Sequence, residues 1–115
     1  MRASFKKEDE YITMVRGDTL SFNMEIEGIG QNLDSAFFSC RKDHDEDYVF
    51  QKSLEDGISL IETDGDTRVY AVRVAPEDTA NLEAGKYYYD LEIGVNNDIY
   101  TVLKGVLEIE KDVTF

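Results

Sequence analysis

The residues of this chain that could do chemistry are few and lie apart. His44 is the single histidine and sits in Asp43-His44-Asp45-Glu46-Asp47, a run rich in oxygen ligands. A transition-metal centre wants a second imidazole or a thiolate beside the first, and no second histidine exists, so the run reads as a solvated acidic loop. Asp64-Gly65-Asp66-Thr67 has the start of a calcium loop but lacks the later glutamate that would clasp the ion from two sides. Arg16-Gly17-Asp18 spells the integrin-recognition tripeptide, yet it joins two expected strands and reads as a turn. Cys40 is the one thiol. It excludes an intramolecular disulfide, which fits a reducing compartment, and with only Arg41 and Lys42 to activate it, it reads as a small buried apolar residue.

Nothing singles out a pair of carboxylates for glycoside hydrolysis. Nucleophile elbows, phosphate-cradling glycine loops and histidine-based triads are absent. The expectation is a protein that is not an enzyme and takes no metal or cofactor.

Charge narrows the partners. With 25 acidic against 12 basic side chains the formal net charge is −13, so phosphate backbones and anionic lipid surfaces are repelled, and neither nucleic acid nor membrane is an expected partner. The first ten residues are charged and hold no apolar run of signal-peptide length, and no stretch reaches the roughly 18 apolar residues of a membrane span. They are read as an arm, with one domain over residues 11 to 115. A chain of 115 residues hides roughly two thirds of its unfolded surface, enough for a core without staples.

The elements that must position these groups are strands. Leu20-Ser21-Phe22-Asn23-Met24-Glu25-Ile26-Glu27 alternates apolar and polar without a fault, the period of a strand with one face buried. Comparable runs lie at Tyr11 to Val15, Ala36 to Arg41, Tyr48 to Leu54, Ile58 to Ile61, Val69 to Val74, Tyr87 to Val95 and Ile99 to Ile109, about eight in all. Gly28-Ile29-Gly30, Asp56-Gly57, Asp64-Gly65-Asp66 and Asn96-Asn97-Asp98 supply turns between them. No segment has the length and period of a crossover helix. The spacing predicts an all-β, two-sheet antiparallel immunoglobulin-like sandwich of 7 to 8 strands, with a bulge or bend at Gly105.

One stretch, Pro76-Glu77-Asp78-Thr79-Ala80-Asn81-Leu82-Glu83-Ala84-Gly85-Lys86-Tyr87-Tyr88-Tyr89-Asp90, is predicted to be a structural corner. Pro76 presets the first position of a helical turn over Pro76 to Leu82, Glu77 and Asp78 suit its positive end, Leu82 plugs the core, and Gly85 leaves the turn in a backbone state closed to other residues. Tyr87 is expected to be a tyrosine-corner residue whose phenol bonds back to the upstream backbone. Tyr87, Tyr89, Leu91 and Ile93 share the inner face; Tyr88, Asp90 and Glu92 share the outer one.

The order of features resembles a group of small sandwich proteins of tailed bacteriophages and prophages of Gram-positive bacteria, nearest the N-terminal domain of the phage baseplate upper protein. That family typically has an early Arg-Gly-Asp-Thr at the start of a strand, a corner of the form peDTa-x-L-x-x-G-x-Y-x-YD, and a closing T-x-x-x-G-x-L-x-V-x-x-DVT. These fall here on Arg16 to Thr19, Pro76 to Asp90 and Thr101 to Thr114. Asn32-Leu33-Asp34-Ser35-Ala36 departs from the pattern. The resemblance implies a virion structural protein of the tail or baseplate, assembled in the host cytoplasm, with other tail or baseplate proteins as partners, self-association into a homo-oligomer, and no catalytic residues. The other function the residues support is a carbohydrate- or ligand-binding module using Tyr48, Tyr88 and Tyr100, since a tyrosine offers apolar area with a polar tip.

Overall fold

The computed structural model describes residues 11–43 and 47–112, and residues 2–5 as backbone. In chain order the elements are β1 (Arg2–Phe5), β2 (Tyr11–Val15), β3 (Leu20–Glu27), β4 (Ser35–Arg41), β5 (Tyr48–Leu54), β6 (Gly57–Asp64), β7 (Thr67–Val74), α1 (Pro76–Thr79), β8 (Gly85–Val95) and β9 (Asp98–Glu110). Among the described residues the fold is all-β, with one single-turn helix. Nine strands among these residues replace the expected eight because Arg2–Phe5, in the segment read as an arm, pairs antiparallel with β3.

Hydrogen bonding joins the strands in one order, β1-β3-β7-β6-β5-β4-β8-β9-β2. The expectation of purely antiparallel pairing needs correction at two places. β2 runs parallel to β9 from Tyr11↔Val106 to Val15↔Glu110, because the turn at Arg16–Asp18 sends the chain on to β3, elsewhere in the order. β5 meets β6 in a parallel contact of two pairs, Ser53↔Gly57 and Leu54↔Ile58, made where the chain turns a corner at Glu55 and Asp56. That contact is the narrow link between the two halves of the order.

The halves close over one core. Phe22 of β3 and Phe38 of β4 stand four places apart in the strand order, yet their ring centroids are 5.6 Å apart at 72°. Phe38 also meets Tyr89 at 5.4 Å and Phe50 at 6.2 Å. Around them Met24, Ile26, Ile58, Val72, Val74, Leu91, Ile93 and Leu107 are shut from solvent. Each fully buried side chain of this size contributes about 1.5–3 kcal/mol against exposure. β3 follows its sequence pattern without error, burying Leu20, Phe22, Met24 and Ile26 in turn.

Some boundaries and details differ from expectation. β6 extends from Gly57 to Asp64 because β7 pairs along it as far as Asp64↔Thr67. The helical turn is shorter than predicted: α1 covers four residues, and the chain beyond is held by Ala80 N–H to Pro76 O and Leu82 N–H to Thr79 O. Gly105 makes neither bulge nor bend. It sits in regular register opposite the buried Tyr89, and the irregularity lies further along the same strand pair, between Leu91 and Glu92. There Leu103 and Thr101 are the successive partners and Val102 is the extra residue.

Candidate functional site

Residues paired across neighbouring strands project from the same face of a sheet, so the register defines the outer surface of β5-β4-β8-β9-β2. One row reads Tyr48, Arg41, Tyr88, Val106, Tyr11, each residue the cross-strand partner of the next. The row beside it reads Gln51, Ser39, Asp90, Lys104. An aromatic and cationic row thus lies against a polar one.

Two bulges decide which tyrosines belong to this face. Strict alternation would place Tyr48 on the same side as the buried Phe50. Instead Cys40 pairs with Phe50 and Arg41 with Tyr48, leaving Val49 as the extra residue, and Tyr48 is turned outward. On β9 the bulge at Val102 has the opposite result. It shifts the alternation so that Tyr100 becomes the partner of Ile93, whose side chain is fully buried. Tyr100 is exposed at the rim of the inner face, away from Tyr48 and Tyr88. The structure brings two of the three candidate contact tyrosines together and separates the third.

Between Tyr48 and Tyr88 stands Arg41, its guanidinium carbon 4.8 Å from the centroid of the Tyr48 ring. Two shallow depressions flank it. One, of about 450 Å³, is lined by Arg41, Tyr88, Asp90, Thr101, Lys104 and Val106 among others. The second, of about 480 Å³, is lined by Phe37, Arg41, Tyr48, Gln51, Asp90 and Glu92 among others. Ser39, Arg41 and Asp90 border both, so the two meet at the arginine. Gln51 Nε2 donates to Ser39 Oγ at 3.0 Å. Arg41 Nε is shut from solvent and has no hydrogen-bond partner. At the far end of the face Tyr11 donates its phenol hydrogen to Glu108, and that bond, with burial, raises the phenol's pKa above its usual value.

Sequence reasoning missed Arg41, Asp90 and Lys104 as parts of one surface. Asp90 was legible as an outward residue of the Tyr88 strand, but the pairing that puts Arg41 and Lys104 beside it is a property of the assembled sheet.

The corner residues lie elsewhere. Tyr87 is buried and its hydroxyl donates to Glu83 O at 2.7 Å. Burial, the largest cause, raises its pKa, and Lys42 Nζ stands 4.6 Å from its ring centroid. Gly85 has φ +144°, a conformation favouring glycine. Leu82 is half-buried and packs on the edge of the core. Pro76 opens α1, where Ala75 N–H donates to Asp78 Oδ2 at 2.7 Å. Lys52, buried on β5, reaches Asp78 at 3.0 Å. A desolvated ion pair of this kind fixes position more than it adds stability.

The Arg-Gly-Asp tripeptide is part of the same corner. Arg16 Nη1 donates to Leu82 O at 3.2 Å, and Nε and Nη2 both donate to Asp112 Oδ1, at 3.2 and 2.8 Å. Gly17 N–H donates to Thr79 Oγ1 at 2.9 Å, and Asp18 N–H closes the turn on Val15 O at 3.0 Å. The arginine is engaged by the fold itself. The three separated segments that carry the phage resemblance therefore meet: Arg16 and Gly17 from the first, Thr79 and Leu82 from the second, Asp112 from the third.

Among the described residues no three histidine, cysteine or acidic side chains come together as a metal-binding group, and His44, Asp45 and Glu46 lie outside those residues. Cys40 is fully buried, and burial pushes its thiol up to about 12. No family model matches the chain, and no curated protein does. Among solved structures it is similar to one described as the crystal structure of DIP-gamma IG1+IG2, with 10% identity and a TM-score of 0.45, covering 95% of this chain and 49% of that one. The chain thus spans about half the length of that protein.

Proposed function

We propose that this protein is a non-enzymatic structural component of a phage or prophage virion, a tail or baseplate module that works through protein–protein contacts. The observation that carries the reading is the meeting of the three resemblance segments at Arg16, Thr79, Leu82 and Asp112. Their contacts make the three segments parts of one corner of the fold, which fits a scaffold common to them. The finer architecture belongs to the same proposal. The narrow β5–β6 link divides the strand order into β1-β3-β7-β6 and β5-β4-β8-β9-β2, which we read as the two sheets of an immunoglobulin-like sandwich, with Tyr87 as its tyrosine corner.

Assembly would use the open backbone of the β6 edge, where Leu60 and Ile61 are exposed. The test is co-purification of the protein with each product encoded beside it. Stable association with a tail or baseplate product supports the proposal. Failure with every neighbouring product, in a setting of polysaccharide-processing genes, sinks it.

A second reading, a ligand-binding module, is favoured by one observation: Tyr88 and Tyr48 each line one of two depressions that meet at Arg41. Saturable binding on a glycan array, lost when Tyr88 is replaced, would place it ahead of the first.

A further inference from the structure

We propose that the depression between Tyr88, Arg41 and Lys104 is a binding site for an acidic monosaccharide unit, a sugar ring bearing a carboxylate. The inference rests on the ligand-binding reading and names its substrate class.

Three features converge on that chemistry. The first is an unmet demand for an anionic acceptor. Arg41 and Lys104 line the same depression of about 450 Å³, and neither forms an ion pair with a described residue. Arg41 Nε in addition lacks any hydrogen-bond partner while shut away from water. A buried donor left in this state is costly and calls for an explanation. A ligand carboxylate supplies the acceptor once the side chain turns its Nε edge into the depression, and the planar guanidinium, its carbon 4.8 Å from the Tyr48 ring centroid, is a fork that takes it with two parallel bonds.

The second feature is a set of groups suited to hydroxyls. Asp90 and Thr101 line the depression beside the cations, and Ser39 forms its border. A sugar hydroxyl both donates and accepts, so it is served by a carboxylate and an ammonium side by side, an arrangement that a wholly anionic or wholly apolar ligand would leave half unused. The third is the ring of Tyr88, a wall with apolar area for the sugar's C–H face and a polar tip.

A protein partner fits this floor less well. The centre of a protein–protein interface is depleted of charged side chains, whereas Arg41, Asp90 and Lys104 here occupy the centre, with Glu92 in the adjoining depression. The net charge of −13 also disfavours a polyanion at long range but leaves a single carboxylate acceptable at close range.

The experiment is an NMR titration of the full chain with glucuronate, with glucose and with acetate, repeated on Arg41→Lys and Tyr88→Ala. Both variants change outward side chains, and their amide spectra report whether each remains folded. The expected result is saturable shifts confined to β4, β8 and β9 around Arg41, Tyr88 and Lys104, with glucuronate about tenfold or more tighter than glucose or acetate. Arg41→Lys, which keeps the charge but loses the fork, should weaken glucuronate about tenfold, and Tyr88→Ala should reduce its advantage over acetate. Absence of saturation by glucuronate overturns the proposal, as does equal binding of acetate or unchanged binding by Arg41→Lys. Binding of neutral sugars at this face without glucuronate overturns the acidic-sugar assignment and leaves the ligand-binding reading standing. No binding of any glycan on an array ends both.

Discussion

Arg16 Nη2 stands 2.8 Å from Asp112 Oδ1, joining the turn after β2 to the segment that follows β9. Because Arg16 also holds Leu82 O, one guanidinium ties together the beginning, the corner and the end of the domain. Replacing Arg16 with alanine should therefore lower the midpoint of urea unfolding by more than replacing Asp112 with asparagine, since only the first change also releases the Leu82 carbonyl. Equal shifts would show that the Leu82 contact carries no weight.

The same pair predicts an acid response. The hydrogen bond from Arg16 holds the Asp112 carboxyl below its ordinary value of 3.8. The folded chain gives up that proton more readily than the unfolded chain, so the pair's contribution is complete above the ordinary value and is lost as pH falls through the lowered one. Stability measured against pH should show a smaller acid loss in Asp112→Asn than in the parent chain.

Tyr87 donates to Glu83 O from a buried position. Tyr87→Phe keeps the ring and removes only the hydroxyl, and should cost about 1 kcal/mol in chemical denaturation. Tyr100→Phe, at an exposed position on β9, is the control and should move stability by less than about 0.5 kcal/mol.

Gly57 lies at the β5–β6 link with φ +99°, where an added Cβ would stand 2.9 Å from Arg73 O and 2.5 Å from Lys52 Cε. The Lys52 side chain can yield, but the backbone carbonyl cannot without moving β7. Gly57→Ala should cost about 2–4 kcal/mol, combining a left-handed backbone with an overpacked contact. A neutral effect would mean that the link between the two halves is loose.

Cys40 is fully buried with its thiol pushed up to about 12, so almost none is thiolate at neutral pH. A thiol-labelling reagent should react slowly with the native chain, at a rate that follows unfolding as urea is added, and at once in full denaturant. Rapid labelling of the native protein would contradict the burial.

Much of the fold was legible because it depends on local periodicity. The faultless alternation of Leu20 to Glu27 is the burial pattern of β3, and the inner and outer residues of β8 follow theirs from Tyr87 to Ile93. Gly85, followed by Tyr87 two residues later, marked a corner, and the phenol's bond to Glu83 O is local, four residues back along the chain. Other features had no local signature. The parallel pairing of β2 with β9 and the capture of Arg16 by Asp112 join residues almost a full chain apart, and a tripeptide that reads as a recognition motif in isolation is consumed by that capture.

The candidate site shows the same division at the scale of single residues. Side-chain types alone determined that no metal or nucleophile motif was present and that Tyr48, Tyr88 and Tyr100 were candidates for contact. Only the tertiary structure decided that Tyr48 joins Tyr88 across Arg41 while Tyr100 falls to the opposite face. Its physical cause is the two bulges, at Val49 and Val102, each adding one residue to one strand of a pair. Because the side-chain period of a strand is two, a single added residue exchanges inside for outside for everything beyond it, and where that residue is accommodated is settled by the neighbouring strand.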